Sequence, residues 1–283
     1  MPKLANNISL TKTYVVIKLT KSYMQERHVT VNGNKIRYIE EGDSKNTIVL
    51  LHGLGGMAER WFPVVPFLSK KYRVIAVDLI GYGQSDKPQV DYTPEFFRDS
   101  ILGLLETLSL EKVFMIGTSL GGEIVAECAA TQNSAIKKIV MVAPAGIMKK
   151  STPVLDAYTM AALYPNHESV KTAYQMMMGE KKEISSQSVE NFISNMTRPN
   201  SKMAFLSTLL GMKNSPVITE KLKLIKIPAL LIWGDADKMI PIEYSKEFAS
   251  SIPDCNFVVM NGCGHTPYEE KPNEFSKIVL DFL

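Results

Sequence analysis

Gly117-Thr118-Ser119-Leu120-Gly121-Gly122 lies directly after the apolar run Val113–Ile116 and before a helix-length segment, 119–132. A hydroxyl at the tip of a strand-to-helix turn sits in strained backbone, and its neighbours must be small because adjoining chain passes close by. The helix N-terminus behind it favours negative charge, and the Leu120 amide points where an oxyanion would form. As a bare pattern, GxSxG arises by chance in roughly one chain in ten of this length. Its strand–turn–helix setting makes it informative.

The same rhythm extends in both directions. His28–Val31 and Lys35–Glu40 alternate apolar and polar residues around Asn32-Gly33, a hairpin signal. Thr47–Leu51, Val74–Val77, Ile139–Val142, Ala229–Trp233 and Phe257–Met260 are short, nearly continuous apolar runs, as buried parallel strands require. Segments 57–70, 94–108, 242–251 and 273–283 read as the intervening helices. Strand alternating with helix implies right-handed crossovers and a doubly wound α/β sheet, opened by an antiparallel hairpin. Residues 146–216 break the rhythm, with helical material punctuated by prolines and glycines. That length is too long for a crossover and reads as an inserted helical cap. The remaining divisions are an extension over 1–24 and a core formed by 25–145 and 217–283.

A second glycine loop, His52-Gly53-Leu54-Gly55-Gly56, follows Thr47–Leu51. Gly53-x-Gly55-x-x-Ala58 fits a dinucleotide fingerprint, with Asp78 at the end of the next strand as its ribose acid. The competing reading gives the Leu54 amide to an oxyanion. Pro63 and Pro66 disfavour the long helix a pyrophosphate would need, and the fingerprint leaves Ser119 without a role.

A serine nucleophile needs a base. His265, in the loop after the last strand, lies at the same sheet edge as Ser119, where open α/β sheets bind ligands. Its orienting acid belongs after the penultimate strand, where Asp235 and Asp237 compete. Asp235 can cap its own turn, which favours Asp237. The order Ser119, Asp237, His265 suits this sheet arrangement.

Composition narrows the class further. The chain of 283 residues is 45% hydrophobic and 22% charged, as an ordinary globular protein is. Its net charge of +3 is too small to point to nucleic acid, and the excess is local: Lys3, Lys12, Lys18 and Lys21 precede residue 25 with no acid among them. No apolar run approaches the ~20 residues of a membrane span. Three cysteines without a CxxC pair indicate a reduced, cytoplasmic setting.

Together these motifs resemble the α/β-hydrolase superfamily from about Glu26 to Leu283. Asp78-Leu79-Ile80-Gly81-Tyr82-Gly83-Gln84-Ser85 looks like its DxxGxGxS loop. Trp233-Gly234-x-x-Asp237 and Gly264-His265-x-Pro267-x-x-Glu270 look like its acid and histidine signatures. The resemblance implies an α/β-hydrolase fold, a mostly parallel eight-stranded sheet flanked by helices, with 146–216 as a helical lid. It implies a catalytic triad of Ser119, Asp237 and His265, with oxyanion donors on Leu54 and Leu120. Thr118 and Thr266 depart from similar meta-cleavage carbon–carbon hydrolases, which carry Asn before the serine and often an aromatic residue after the histidine.

The expectation is therefore a carboxylesterase- or lipase-like serine hydrolase acting on short- to medium-chain esters with apolar acyl groups. Carbon–carbon hydrolysis of a vinylogous diketone is one alternative, and a ligand-sensing receptor is the non-enzymatic one. Gly53, Met160, Met177, Phe192 and Phe205 are the expected substrate contacts, since eight of the fifteen methionines fall in 146–216 and such surfaces re-pack around varied ligands. No metal, organic cofactor, nucleic acid or stable membrane insertion is expected, and the chain reads as a monomer or homodimer.

Overall fold

A computed structural model describes residues 24–180 and 183–283. The expected extension over 1–24, Met24 apart, lies outside the described residues. β1 (Gln25–Val31) and β2 (Asn34–Glu41) form the antiparallel hairpin. Asn32 (φ 49°) and Gly33 (φ 79°) turn it with the left-handed backbone that a tight hairpin requires. Six further strands follow: β3 (Thr47–Leu51), β4 (Arg73–Val77), β5 (Val113–Thr118), β6 (Ile136–Val142), β7 (Ala229–Gly234) and β8 (Cys255–Met260). Their order in the single eight-stranded sheet is β1-β2-β4-β3-β5-β6-β7-β8. Every pair from β4 to β8 is parallel; β2 joins β4 antiparallel.

This order places the site. β3 pairs with β4 on one side and β5 on the other, so successive crossovers leave in opposite directions at that point. The loops after β3 and β5 then flank a crevice at the C-terminal edge of the sheet.

Side-chain parity along the strands builds two core layers. Val49, Leu51, Met115 and Met141 pack with α2 (Pro94–Thr107), α3 (Leu120–Ala130) and α9 (Ser245–Ser251). Ile48, Leu50, Ile116 and Val140 pack on the opposite face with α1 (Val65–Leu68) and α11 (Pro272–Phe282), beside the short α10 (Pro267–Glu270). The expected helix over 57–70 is broken into a 3-10 turn at Ala58–Trp61 and the single-turn α1, consistent with prolines at 63 and 66.

Between β6 and β7 the chain forms α4 (Pro153–Leu163), α5 (His167–Met177), α6 (Ser186–Met196), α7 (Ser201–Asn214) and α8 (Thr219–Leu222). Thr152, Asn166 and Ser185 cap the first three, their side-chain oxygens accepting from Leu155, Ser169 and Ser188 amides. The ends of this insert meet where the Ile218 amide donates to the Gly146 carbonyl at 3.1 Å.

Candidate active site

Ser119 joins β5 to α3 at φ 54° and ψ −118°, a conformation costing about 1–3 kcal/mol for a residue with a Cβ. Backbone bonds hold it there: its amide donates to Val142 at 2.9 Å, and its carbonyl accepts from Glu123 at 3.1 Å and Ala145 at 3.0 Å. Glycine is obligatory on both sides. A Cβ on Gly117 would lie 2.1 Å from the Gly121 carbonyl oxygen, and one on Gly121 would lie 2.2 Å from that of Leu51.

The β3 loop is set against this turn, with a Cβ on Gly53 reaching 3.2 Å from that of Ser119. The Gly53 carbonyl accepts from the Gly56 amide at 3.0 Å and lies 2.7 Å from His52 Nδ1. The planar peptide therefore aims the Leu54 N–H the opposite way. Among the described residues the amides of Leu54 and Leu120 donate to no protein acceptor, as two oxyanion donors must. His52 Nε2 accepts from the Leu79 amide at 3.1 Å, which fixes the neutral Nδ1–H tautomer, and burial pushes its pKa down to about 4. His52 is thus committed to loop structure. So is Asp78, the expected ribose acid of the dinucleotide reading. Its buried carboxylate accepts from the Ala58 and Gln84 amides and pairs with Arg37 at 3.0 Å.

His265 meets Asp237 rather than Asp235. Its Nδ1 lies 2.8 Å from Asp237 Oδ2, while Asp237 Oδ1 accepts from the Met239 and Ile240 amides. Asp235 accepts from the Gly262 amide at 2.7 Å and ties the β7 loop to the β8 loop. His265 Nε2 is buried without a protein partner among the described residues. It lines the same cavity as Ser119, which leaves a lone pair available there. Glu270 braces the histidine loop. Its buried carboxylate accepts from Gly264 at 3.0 Å, from Thr266 at 3.2 Å and from Gly179, beyond α5, at 2.8 Å.

The cavity measures about 310 Å³ and is lined by Gly53, Leu54, Ser119 and His265 together with Met177. Leu155, Leu209, Met239 and Ile240 give it an apolar part, Lys149, Lys150 and Lys213 add cations against the single carboxylate of Asp156, and Arg60 enters the lining already ion-paired to Glu269 at 2.9 Å. Three expected contacts fall elsewhere. Met160 is 55% exposed, because α4 buries Val154, Tyr158, Ala161 and Ala162 and turns Met160 outward. Phe192 and Phe205 pack behind the glycine loop, each ring 3.2 Å from a Cβ placed on Gly55. Gly53 and Met177 do line the cavity.

Tyr158 and Asn195 were missed from the sequence. The Tyr158 hydroxyl donates to the Leu54 carbonyl at 2.7 Å, and Asn195 bonds Gly55, Gly56 and Gly83. Neither sits in a motif; only the 3–4 spacing that buries them on α4 and α6 could have flagged them. Among the described residues there is no cluster able to hold a metal ion and no helix long and apolar enough to cross a membrane.

Comparison with known proteins agrees with the sheet order. Residues 46–272 match the family described as alpha/beta hydrolase fold. The chain is 28% identical to a 2-hydroxy-6-oxononadienedioate/2-hydroxy-6-oxononatrienedioate hydrolase of Paraburkholderia phymatum, over 88% of this chain and 91% of that protein. It is 24% identical to the 2-hydroxy-6-oxo-6-(2'-aminophenyl)hexa-2,4-dienoic acid hydrolase of Metapseudomonas resinovorans, over 97% and 96%. A crystallised serine hydrolase involved in carbazole degradation superposes with a TM-score of 0.82 at 23% identity, covering 92% of this chain and 98% of its own. That last likeness speaks to the fold.

Proposed function

This chain belongs to the α/β-hydrolase fold family and is a hydrolase, and we propose that it cleaves the carbon–carbon bond of a vinylogous diketone acid through an acyl-Ser119 intermediate. His265 Nε2 takes the Ser119 proton as Oγ adds to the ketone carbon, while Asp237 holds the imidazolium. The Leu54 and Leu120 amides receive the oxyanion, each donor being worth about 3–4 kcal/mol. When the tetrahedral adduct collapses, the electron pair of the broken carbon–carbon bond passes into the conjugated second carbonyl as an enolate. His265 returns the proton to that fragment, and water, activated by the same imidazole, releases the acyl group as a carboxylic acid. Residues 146–216 act as the lid over this chemistry.

The observation that carries the substrate class is the cavity lining, three lysines to one carboxylate beside an apolar wall, with Arg60 already paired to Glu269. It suits an amphiphilic anion, and both curated relatives are named for 2-hydroxy-6-oxo acids. Departing from the expected ester preference, this reading puts carbon–carbon hydrolysis first.

Short- to medium-chain ester hydrolysis is the second reading, favoured by Thr118 and Thr266. Thr118 replaces the expected Asn with a buried hydroxyl that has no protein partner among the described residues. The test follows loss of the dienolate chromophore of a 2-hydroxy-6-oxo-hexadienoate and release of p-nitrophenol from esters of two to twelve carbons. A higher Ser119-dependent kcat/KM on the diketone acid is expected. Preference for an ester would install the second reading, and turnover equal to that of Ser119→Ala on both would overturn each.

A further inference from the structure

The outward stripes of α4 and α7 carry large apolar side chains that nothing in the chemistry of Ser119 uses. Met160 on α4 and Tyr164 directly after it are 55% and 69% exposed, and Leu206 and Leu210 on α7 are 41% and 58% exposed. On α7 Lys202, Leu206, Leu210 and Lys213 are exposed along one helical face, with a lysine at either end. These stripes border the mouth of the Ser119 cavity: Leu210 and Lys213 line it from α7, and Asp156 and Thr159 line it from α4. Clustered exposed apolar residues rimmed by charge mark an interaction surface.

Charge selects the partner. Residues 146–163 and 200–216 contain four lysines and one aspartate as their whole complement of charged side chains. Lys149 donates to the Met212 and Ser215 carbonyls at the end of α7, and Asp156 accepts from Ser151. Lys150, Lys202 and Lys213 are exposed and make no ion pair among the described residues. A symmetric pairing of two copies through this face would set lysine against lysine. An interface that is apolar within and negative at its surface satisfies both features at once.

We propose that the outer face of α4 and α7 docks on a bilayer containing anionic phospholipid, with the cavity mouth opening toward the lipid. An amphiphile lying in that bilayer, its anionic end at the headgroups, then faces the cavity directly. Docking does not rest on the proposed reaction, because the assay reads bound protein rather than turnover.

The test is co-sedimentation of the full chain with vesicles of phosphatidylcholine alone or mixed with phosphatidylglycerol. Binding to the mixed vesicles is expected, weakened by salt. In the triple variant Met160→Ser/Tyr164→Ser/Leu206→Ser, and separately in Lys202→Glu, partitioning should fall at least about tenfold. Thermal stability and turnover of a soluble substrate should stay at the wild-type level in both. Binding that survives both variants would assign any lipid affinity to the basic residues before residue 25 and overturn the proposal. Equal binding to phosphatidylcholine alone would also overturn it. So would a dimer, seen by sedimentation velocity, that the triple variant abolishes, since the face would then belong to a second copy.

Discussion

The sheet edge and the helical insert meet at one cavity but are built on different terms. At the edge, groups are fixed by backbone: Ser119 by three main-chain bonds, Asp237 by two amides, the His265 loop by Glu270. The insert reaches that edge in two ways: beside the histidine loop through backbone, the Met177 carbonyl accepting from the His265 amide at 2.8 Å and the Glu180 amide donating to the Gly262 carbonyl at 2.9 Å, and beside the glycine loop through side chains, Tyr158 to Leu54 and Asn195 to Gly55 and Gly56. Chemistry that needs sub-ångström placement rests on the backbone bonds, to which α5 contributes at His265, and substrate fit rests on the side chains of the insert.

Substitutions can break this contrast. Asp237→Asn, which keeps the shape but presents the wrong partner to His265 Nδ1, should lower kcat by about 10⁴-fold with little change in KM. A loss below about tenfold would remove Asp237 from the account. Next in size is a pH effect. Burial pushes the Glu123 carboxyl, one turn below Ser119, up to about 8, and its Oε2 has no protein partner among the described residues. Between pH 4.5 and 8 the folded state therefore holds a proton that the unfolded chain releases, so stability falls as pH rises through that window. Glu123→Gln should remove the penalty, stabilising the protein by up to about 4 kcal/mol at pH 7.5 and far less at pH 5. Denaturant titrations at the two pH values would decide it, and an equal gain at both would refute the buried-acid explanation.

Smaller effects sharpen the comparison. Glu270→Gln leaves one oxygen to serve amides that now share two, and should cost about 2 kcal/mol of stability together with a lowered kcat. On the insert side, Tyr158→Phe should cost about tenfold in kcat/KM by releasing the Leu54 carbonyl, with about 1 kcal/mol of stability. If Tyr158→Phe hurt turnover more than Glu270→Gln, the side chains of the insert would be holding the catalytic geometry, and the distinction between the two kinds of support would fail.

The edge was also the legible part of the sequence. Continuous apolar runs locate the core strands because a strand covered on both faces has no polar side to show, and β3, β5 and β7 are buried along their whole lengths. Glycines beside Ser119 were readable because the close approach of two backbones leaves no room for a Cβ. The insert showed its helical character through the prolines and glycines that punctuate it, yet not its inward faces. Three of the five expected contacts there and in the adjoining loop, Met160, Phe192 and Phe205, were chosen by residue type, and type does not tell which side of a helix turns inward. Tyr158 and Asn195 escaped for the same reason, since a hydrogen bond spanning more than a hundred residues leaves no local mark.

The central claim is that Ser119, driven by His265, is the nucleophile, and labelling with a fluorophosphonate followed by intact mass and peptide mapping tests it most directly. The account predicts one adduct per chain, on Ser119, lost in Ser119→Ala and formed much more slowly in His265→Ala. An adduct on another residue, or labelling of Ser119 at an undiminished rate without His265, would contradict it.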